Sequence, residues 1–213
     1  MTAHGLATLL ALILGLTAAG FYFWRLKLLR QKSRQTWRQV AETLRLHFRG
    51  DDEKAYPLLE GSLDGVDLVV AVEREYVGYF TYHDTLISVA LPEVFPQGFQ
   101  METRSSADTL RAVPAEIEDQ ELNHLFHFPP PFPRELRSFF STPTVRDALL
   151  SATSQARSVS IEEGRFCLRH RGILTVPDEL EEKILAIPSL AQPLIDAATT
   201  SADDGPSPSP PSR

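Results

Sequence analysis

The stretch from Gly5 to Trp24, GLATLLALILGLTAAGFYFW, contains no charged residue, and no other feature limits the architecture as much. At about 1.5 Å per residue, a helix of this length spans roughly 30 Å, the thickness of a bilayer's hydrocarbon core. Its end is aromatic, Phe21 to Trp24, as suits the headgroup level. Arg25, Lys27, Arg30, Lys32 and Arg34 follow at once, and no Lys or Arg precedes the run. The positive-inside rule then places the N-terminus outside and everything after Arg25 in the cytoplasm. The expectation is a single-pass protein of the cell membrane. Its interface residues would be Trp24, Arg25, Lys27, Arg30, Lys32 and Arg34, and the lipid bilayer its first partner. The rival is a cleaved signal peptide with Thr17-Ala18-Ala19 as the small-residue site. A missing positive n-region and positive charge on the wrong side oppose it. Ala11, Gly15 and Ala19 have the small-xxx-small spacing that lets spans pack closely, a spacing also common in spans that stay single.

Charge divides the remainder. The formal net charge is -7, yet Arg25 to Arg49 is basic, with Glu42 as its one acid. The domain that follows is acidic, which argues against nucleic acid as a partner, because phosphate neutralisation needs clustered Lys and Arg. With Cys167 the single cysteine, no internal disulfide can form. The expected organisation is an anchor over residues 1–24, a basic amphipathic helix over 25–50, an α+β globular domain over 51–198 and a disordered Ser/Pro tail over 199–213.

Within the basic segment Trp37, Val40, Ala41, Leu44 and Phe48 recur at helical spacing, and Gly50 reads as the helix stop. That face either docks on the domain or lies on anionic lipid. Next, Leu58–Leu63 and Val66–Glu73 flank Asp64-Gly65, the turn pair of a type I′ hairpin. Tyr79–Leu91 and Phe99–Thr103 read as two more strands, suggesting an antiparallel meander. Ser105–Val113 reads as a short helix, while the periodicity of Glu118–Phe128 assigns nothing. Thr142 and Pro143 mark a helix start. Ser158–Glu162 and Arg165–Arg171 form a second hairpin, with Phe166 and Leu168 on one face and Arg165, Cys167 and Arg169 on the other. Pro177 opens a last helix that Pro188 and Pro193 must kink or divide. The fold class is therefore α+β: an antiparallel sheet built from hairpins, with flanking helices and one N-terminal transmembrane tether.

The order of these features resembles uncharacterised bacterial membrane-anchored proteins. The resemblance rests on Trp37–Leu44, Leu59–Val66, Leu86–Pro92 and Val159–Gly164 and covers most of residues 37–198. Such relatives often carry Gly-Asp and Phe-Asp pairs before the middle helix, where this chain has Glu118-Asp119 and Leu122-Asn123. The resemblance implies the tether and the cytoplasmic α+β domain, and no activity.

No string of residues demands catalysis. Gly61-Ser62-Leu63-Asp64-Gly65 lacks the spacing of a nucleophile elbow and sits in a hairpin. Glu162-Glu163 and Glu181-Glu182 have solvated explanations at a turn and a helix start. Cys167, on a strand, has no activating pair beside it in sequence. His124 and His127 would share a helical face, with His83, Asp84 or Glu121 as a third metal ligand, but ordinary histidines explain them as well. Phe128-Pro129-Pro130-Pro131-Phe132 is a candidate partner segment through Phe128, Pro130 and Phe132, or else a rigid connector with both rings buried. No cofactor is expected. The function read from the sequence is a non-catalytic interaction or scaffold module of the membrane, with another protein as its expected partner; the alternatives are a membrane-associated metal-binding or enzymatic domain and a lipid-sensing module.

Overall fold

The computed structural model describes the chain apart from residues 1–2, 51–54, 79, 94, 97, 105–116, 129–131, 135 and 204–213, and apart from the side chains of 3–12, 26, 77, 80 and 201–203. The short helix expected over Ser105–Val113 lies outside the described residues.

Helix α1, Ala3–Leu44, is one continuous rod, about 63 Å long at 1.5 Å per residue. Part of the expected Gly5–Trp24 span falls on side chains outside the described residues. Among the described residues, no helix is long and apolar enough to cross a membrane. Phe21, Tyr22, Phe23 and Trp24 are all exposed, whereas Ser33, Thr36, Trp37, Val40 and Ala41 are buried. The rod therefore changes environment along its length, free of the domain at Trp24 and inside its core at Trp37.

α1 stops earlier than Gly50. Arg45 takes a left-handed φ of 55°, and the Leu46 N–H donates to the Ala41 carbonyl at 2.8 Å, the 6→1 bond of a Schellman motif. The chain then turns into β1, His47–Arg49, so Phe48 belongs to a strand and not to the helix face expected of it.

Among the described residues the sheet has eight antiparallel strands. These are β1, β2 (Leu58–Leu63), β3 (Val66–Val77), β4 (Phe80–Ala90), β5 (Gln100–Thr103), β6 (Phe126–His127), β7 (Ser158–Glu162) and β8 (Arg165–His170). Their spatial order is β1-β2-β3-β4-β8-β7-β5-β6. The first hairpin forms as expected, with Leu63 opposite Val66 and φ values of 51° at Asp64 and 82° at Gly65. The second repeats it at Glu163 and Gly164, with φ of 52° and 69°. The expected simple meander holds only from β1 to β4. The β7–β8 hairpin inserts between β4 and β5, because β8 pairs along β4 from Thr85–His170 to Ala90–Arg165 and β7 takes β5 as its outer neighbour. The local periodicity of β5 is the same beside either neighbour, so the sequence did not separate the two arrangements.

One sheet face is apolar. Val66, Leu68 and Val70, then Ile87 and Val89, then Phe166 and Leu168, then Val159 and Ile161 are all buried and aligned across strands. Covering helices are α4 (Pro143–Gln155), α5 (Pro177–Leu185), α6 (Ile187–Asp203) and the second half of α1. Thr142 is the N-cap of α4, but its hydroxyl donates back to the Ser138 carbonyl and does not cap α4. The expected division of the last helix occurs at Ala186. Pro188 falls in the first turn of α6, where a missing N–H costs little, and Pro193 sits inside α6. α6 continues past Thr199 to Asp203 with Ala198 fully buried, so helix extends into the segment expected to be tail.

Among the described residues a short helix falls in the stretch that periodicity could not assign, and another follows it. α2, Gln120–Leu125, starts at Asp119, whose carboxylate accepts the Glu121 and Leu122 N–H groups at 2.9 Å each. α3 is Leu136–Ser141. Between them, Phe128 and Phe132 are buried with Phe99, Phe139 and Phe140, their rings 5.5 Å apart and edge to face.

Candidate functional site

The face of the sheet away from the helices is polar, and its side chains follow from strand alternation. β8 sends Phe166, Leu168 and His170 to the core and Arg165, Cys167 and Arg169 to the open face. Arg169 reaches across β4 to β3, its Nε donating to Glu73 at 2.7 Å, and also donates to the Ser158 hydroxyl at 3.2 Å. Arg157, just before β7, donates to Asp84 and lies 3.5 Å from a Glu75 oxygen. The Asp84 side chain is 4% exposed, and its other oxygen accepts the Gly172 N–H at 2.9 Å. These donors satisfy a carboxylate that burial has removed from water.

Beside this network β5 parts from β7. The ladder ends at Glu102 opposite Ser160, and beyond it the Thr103 hydroxyl accepts the Val159 N–H at 3.1 Å. β5 instead takes β6 as partner. The parting leaves a notch of about 420 Å³ lined by Glu75, Glu102, Thr103, Arg104, Arg157, Ser158, Ser160 and Arg169, a volume within the range of small binding sites. Arg104 is fixed by its Nε, which donates to the carbonyls of Asn123 at 3.0 Å and Phe126 at 2.9 Å. Among the described residues it has no ion-pair partner.

The reactive groups nearby are held in unreactive states. Burial, with Glu162 adding to it, pushes the Cys167 thiol up to about 12. Burial and the charge of Lys183 lower His170 to about 4, and this ring faces the helices with a buried Nε2 that lacks a hydrogen-bond partner. The Ser160 hydroxyl donates to Glu162 at 3.2 Å, a carboxylate that cannot act as the histidine of a triad. The notch can hold polar groups through hydrogen bonds and charge.

The histidines weighed as metal ligands are dispersed. His124 ends α2 and His127 lies on β6, both exposed. His83 is on β4, with β8, β7 and β5 between it and β6. Among the described residues no group of three or more His, Cys, Asp and Glu could hold a metal ion. Phe128 and Phe132 are committed to the core, and Pro130 lies outside the described residues. Arg30 and Arg34, expected at the membrane interface, are half-buried against the domain. Of the notch residues, Arg169 was legible as a charged residue on the polar side of a strand, but Arg104 and Arg157, like Glu73 in the network beside it, gave no local signal, because strand order alone gathers them.

No protein-family model matches the chain, and no curated protein or solved structure is significantly similar to it.

Proposed function

We propose that the chain is a non-catalytic interaction module, held at the cytoplasmic face of the cell membrane by the Gly5–Trp24 segment of α1 and receiving a segment of another protein in the notch on its open sheet face. The observation that carries the reading is Arg104: a guanidinium fixed by two backbone carbonyls, lining a notch whose other arginines are already engaged by carboxylates. A preoriented guanidinium fork suits a partner carboxylate. Glu102 and the hydroxyls of Ser158 and Ser160 supply the remaining polar contacts. The tether is supported by the uncharged run, the basic flank after it and the continuity of α1 into the core.

The test is site-directed photocrosslinking in the native membrane, with the full chain carrying the crosslinker at Ser158 or, as control, at the exposed Glu179 of α5. The expected result is a discrete protein adduct from Ser158 alone, lost in the Arg104→Gln variant. Identical adducts from both positions, or adducts indifferent to Arg104→Gln, would overturn the reading.

A further inference from the structure

A second cluster lies at the other side of the molecule, where α1 first touches the domain. Tyr56 precedes β2, and the Arg30 guanidinium carbon stands 5.0 Å from its ring centroid. The Arg74 guanidinium carbon, from β3, stands 5.3 Å from the same centroid. The His83 ring, paired with Arg74 across the β3–β4 ladder, has its centroid 5.0 Å from that of Tyr56. Arg34 secures the loop by donating to the Ala55 carbonyl at 3.1 Å. Among the described residues neither Arg30 nor Arg74 has an ion-pair partner, and the Arg30 Nε is buried without a hydrogen-bond partner.

Like charges gathered round one ring repel, and cation–π contact with the half-buried Tyr56 offsets only part of that repulsion. The repulsion registers on His83, whose pKa is lowered by burial, then by Arg74 and Arg30, with Asp84 opposing. An anion would relieve it. Glu73 and Glu75, which flank Arg74, project to the opposite face of the sheet, where they meet Arg169 and Arg157, and Asp84, beside His83, is engaged there by Arg157; Asp51, Asp52 and Glu53, before Tyr56, lie outside the described residues.

Position indicates which anion. Arg30 follows Trp24 by about 9 Å along the helix axis, and the headgroup layer extends roughly 5–8 Å beyond the hydrocarbon. With Trp24 at the interface, the cluster stands at the outer margin of the headgroups. We propose that Arg30, Arg74 and His83, arranged round Tyr56, bind the phosphate of an anionic phospholipid headgroup. Guanidinium forks are suited to phosphate oxygens, and the exposed Arg74 is the side chain through which the domain itself, and not only the basic collar, reads the lipid. The choice of lipid as the phosphate's source rests on the tether proposed above.

The experiment uses the full chain in nanodiscs of phosphatidylcholine, with or without phosphatidylglycerol. The readouts are native mass spectrometry of retained lipid and the imidazole resonances of labelled His83. Expected are selective retention of phosphatidylglycerol and a shift of the His83 signals. Arg74→Gln should reduce retention about tenfold or more, through loss of charge-assisted hydrogen bonds. Lys32→Gln, an equal charge change on an exposed collar residue, should reduce it about fivefold at most, as general surface attraction predicts. Equal losses in the two variants, or unmoved His83 signals, would overturn the site. Inorganic phosphate is added to chain in neutral nanodiscs as a separate arm; a His83 response there with none to phosphatidylglycerol would overturn the lipid as source. A chain that fails to insert into nanodiscs at all would count against the tether, and the phosphate arm, run in detergent, would still report on the cluster.

Discussion

The Trp37 indole N–H donates to the Leu174 carbonyl at 2.8 Å, joining residues 137 positions apart in the chain. The hydroxyl of the adjacent Thr36 donates to the Thr175 carbonyl at 2.9 Å. The same 172–174 segment is held from its other side, where the Gly172 carbonyl accepts the Thr85 hydroxyl and the Leu174 N–H donates to it. The rod α1 is thus joined to the segment between β8 and α5, and through Thr85 to the sheet.

Trp37 should therefore contribute heavily to stability. Trp37→Ala is expected to cost about 3–5 kcal/mol through the cavity it leaves. Trp37→Phe should cost about 1–3 kcal/mol, largely because the Leu174 carbonyl loses its donor. Denaturant unfolding of the full chain measures both; an unchanged midpoint for Trp37→Ala would mean that α1 is not docked.

Gly65 tests the first hairpin. Its φ is 82° and a Cβ would meet nothing within 4 Å, so only backbone conformation opposes substitution. Gly65→Val should destabilise by roughly 1–3 kcal/mol and Gly65→Asn by much less, because Asn tolerates the left-handed region. Equal midpoints for the two variants would exclude the type I′ turn.

Acid stability should carry the signature of His170. Its folded value is about 4, against 6.5 for the unexposed-to-charge reference of an ordinary histidine. Between these values the unfolded chain binds the additional proton, so stability falls as pH is lowered from about 6.5 toward 4 and this contribution levels off below. The loss is on the order of 3 kcal/mol. His170→Leu should flatten the unfolding profile across that window, and a slope identical to that of the parent chain would refute the assignment.

Cys167 should be silent toward thiol reagents. With its pKa near 12, the thiolate fraction at about pH 8 is on the order of 10⁻⁴. Since it is the single cysteine, colorimetric thiol titration reads it without ambiguity. Negligible labelling of the folded chain and full labelling in denaturant are expected; rapid labelling of the folded chain would show that the open face admits reagents to the thiol.

Topology is the remaining test of the tether. A reporter fused after Arg213 should score as cytoplasmic, because the positive charge follows the apolar run. A signal from a reporter active only outside the cytoplasm would reverse the orientation and the proposed function with it.

The sequence by itself determined the elements whose causes are local. Asp64-Gly65 and Glu163-Gly164 set two hairpins through the positive φ that each turn requires. Thr142-Pro143 and Pro177 set helix starts, and the alternation of Phe166, Cys167 and Leu168 assigned the faces of β8. Trp37, Val40 and Ala41 at helical spacing marked the face of α1 that the core buries. What only the tertiary structure decided is which distant segments meet. The insertion of β7–β8 beside β4 brings Arg169 to Glu73 and Arg157 to Asp84, and the parting of β5 from β7 opens the notch at Arg104. The docking of α1 brings Arg30 to Tyr56 and Arg74. These pairings depend on strand order and helix placement, and both are set by how the whole chain buries its apolar surface, a sum over contacts far apart in sequence that no local pattern records.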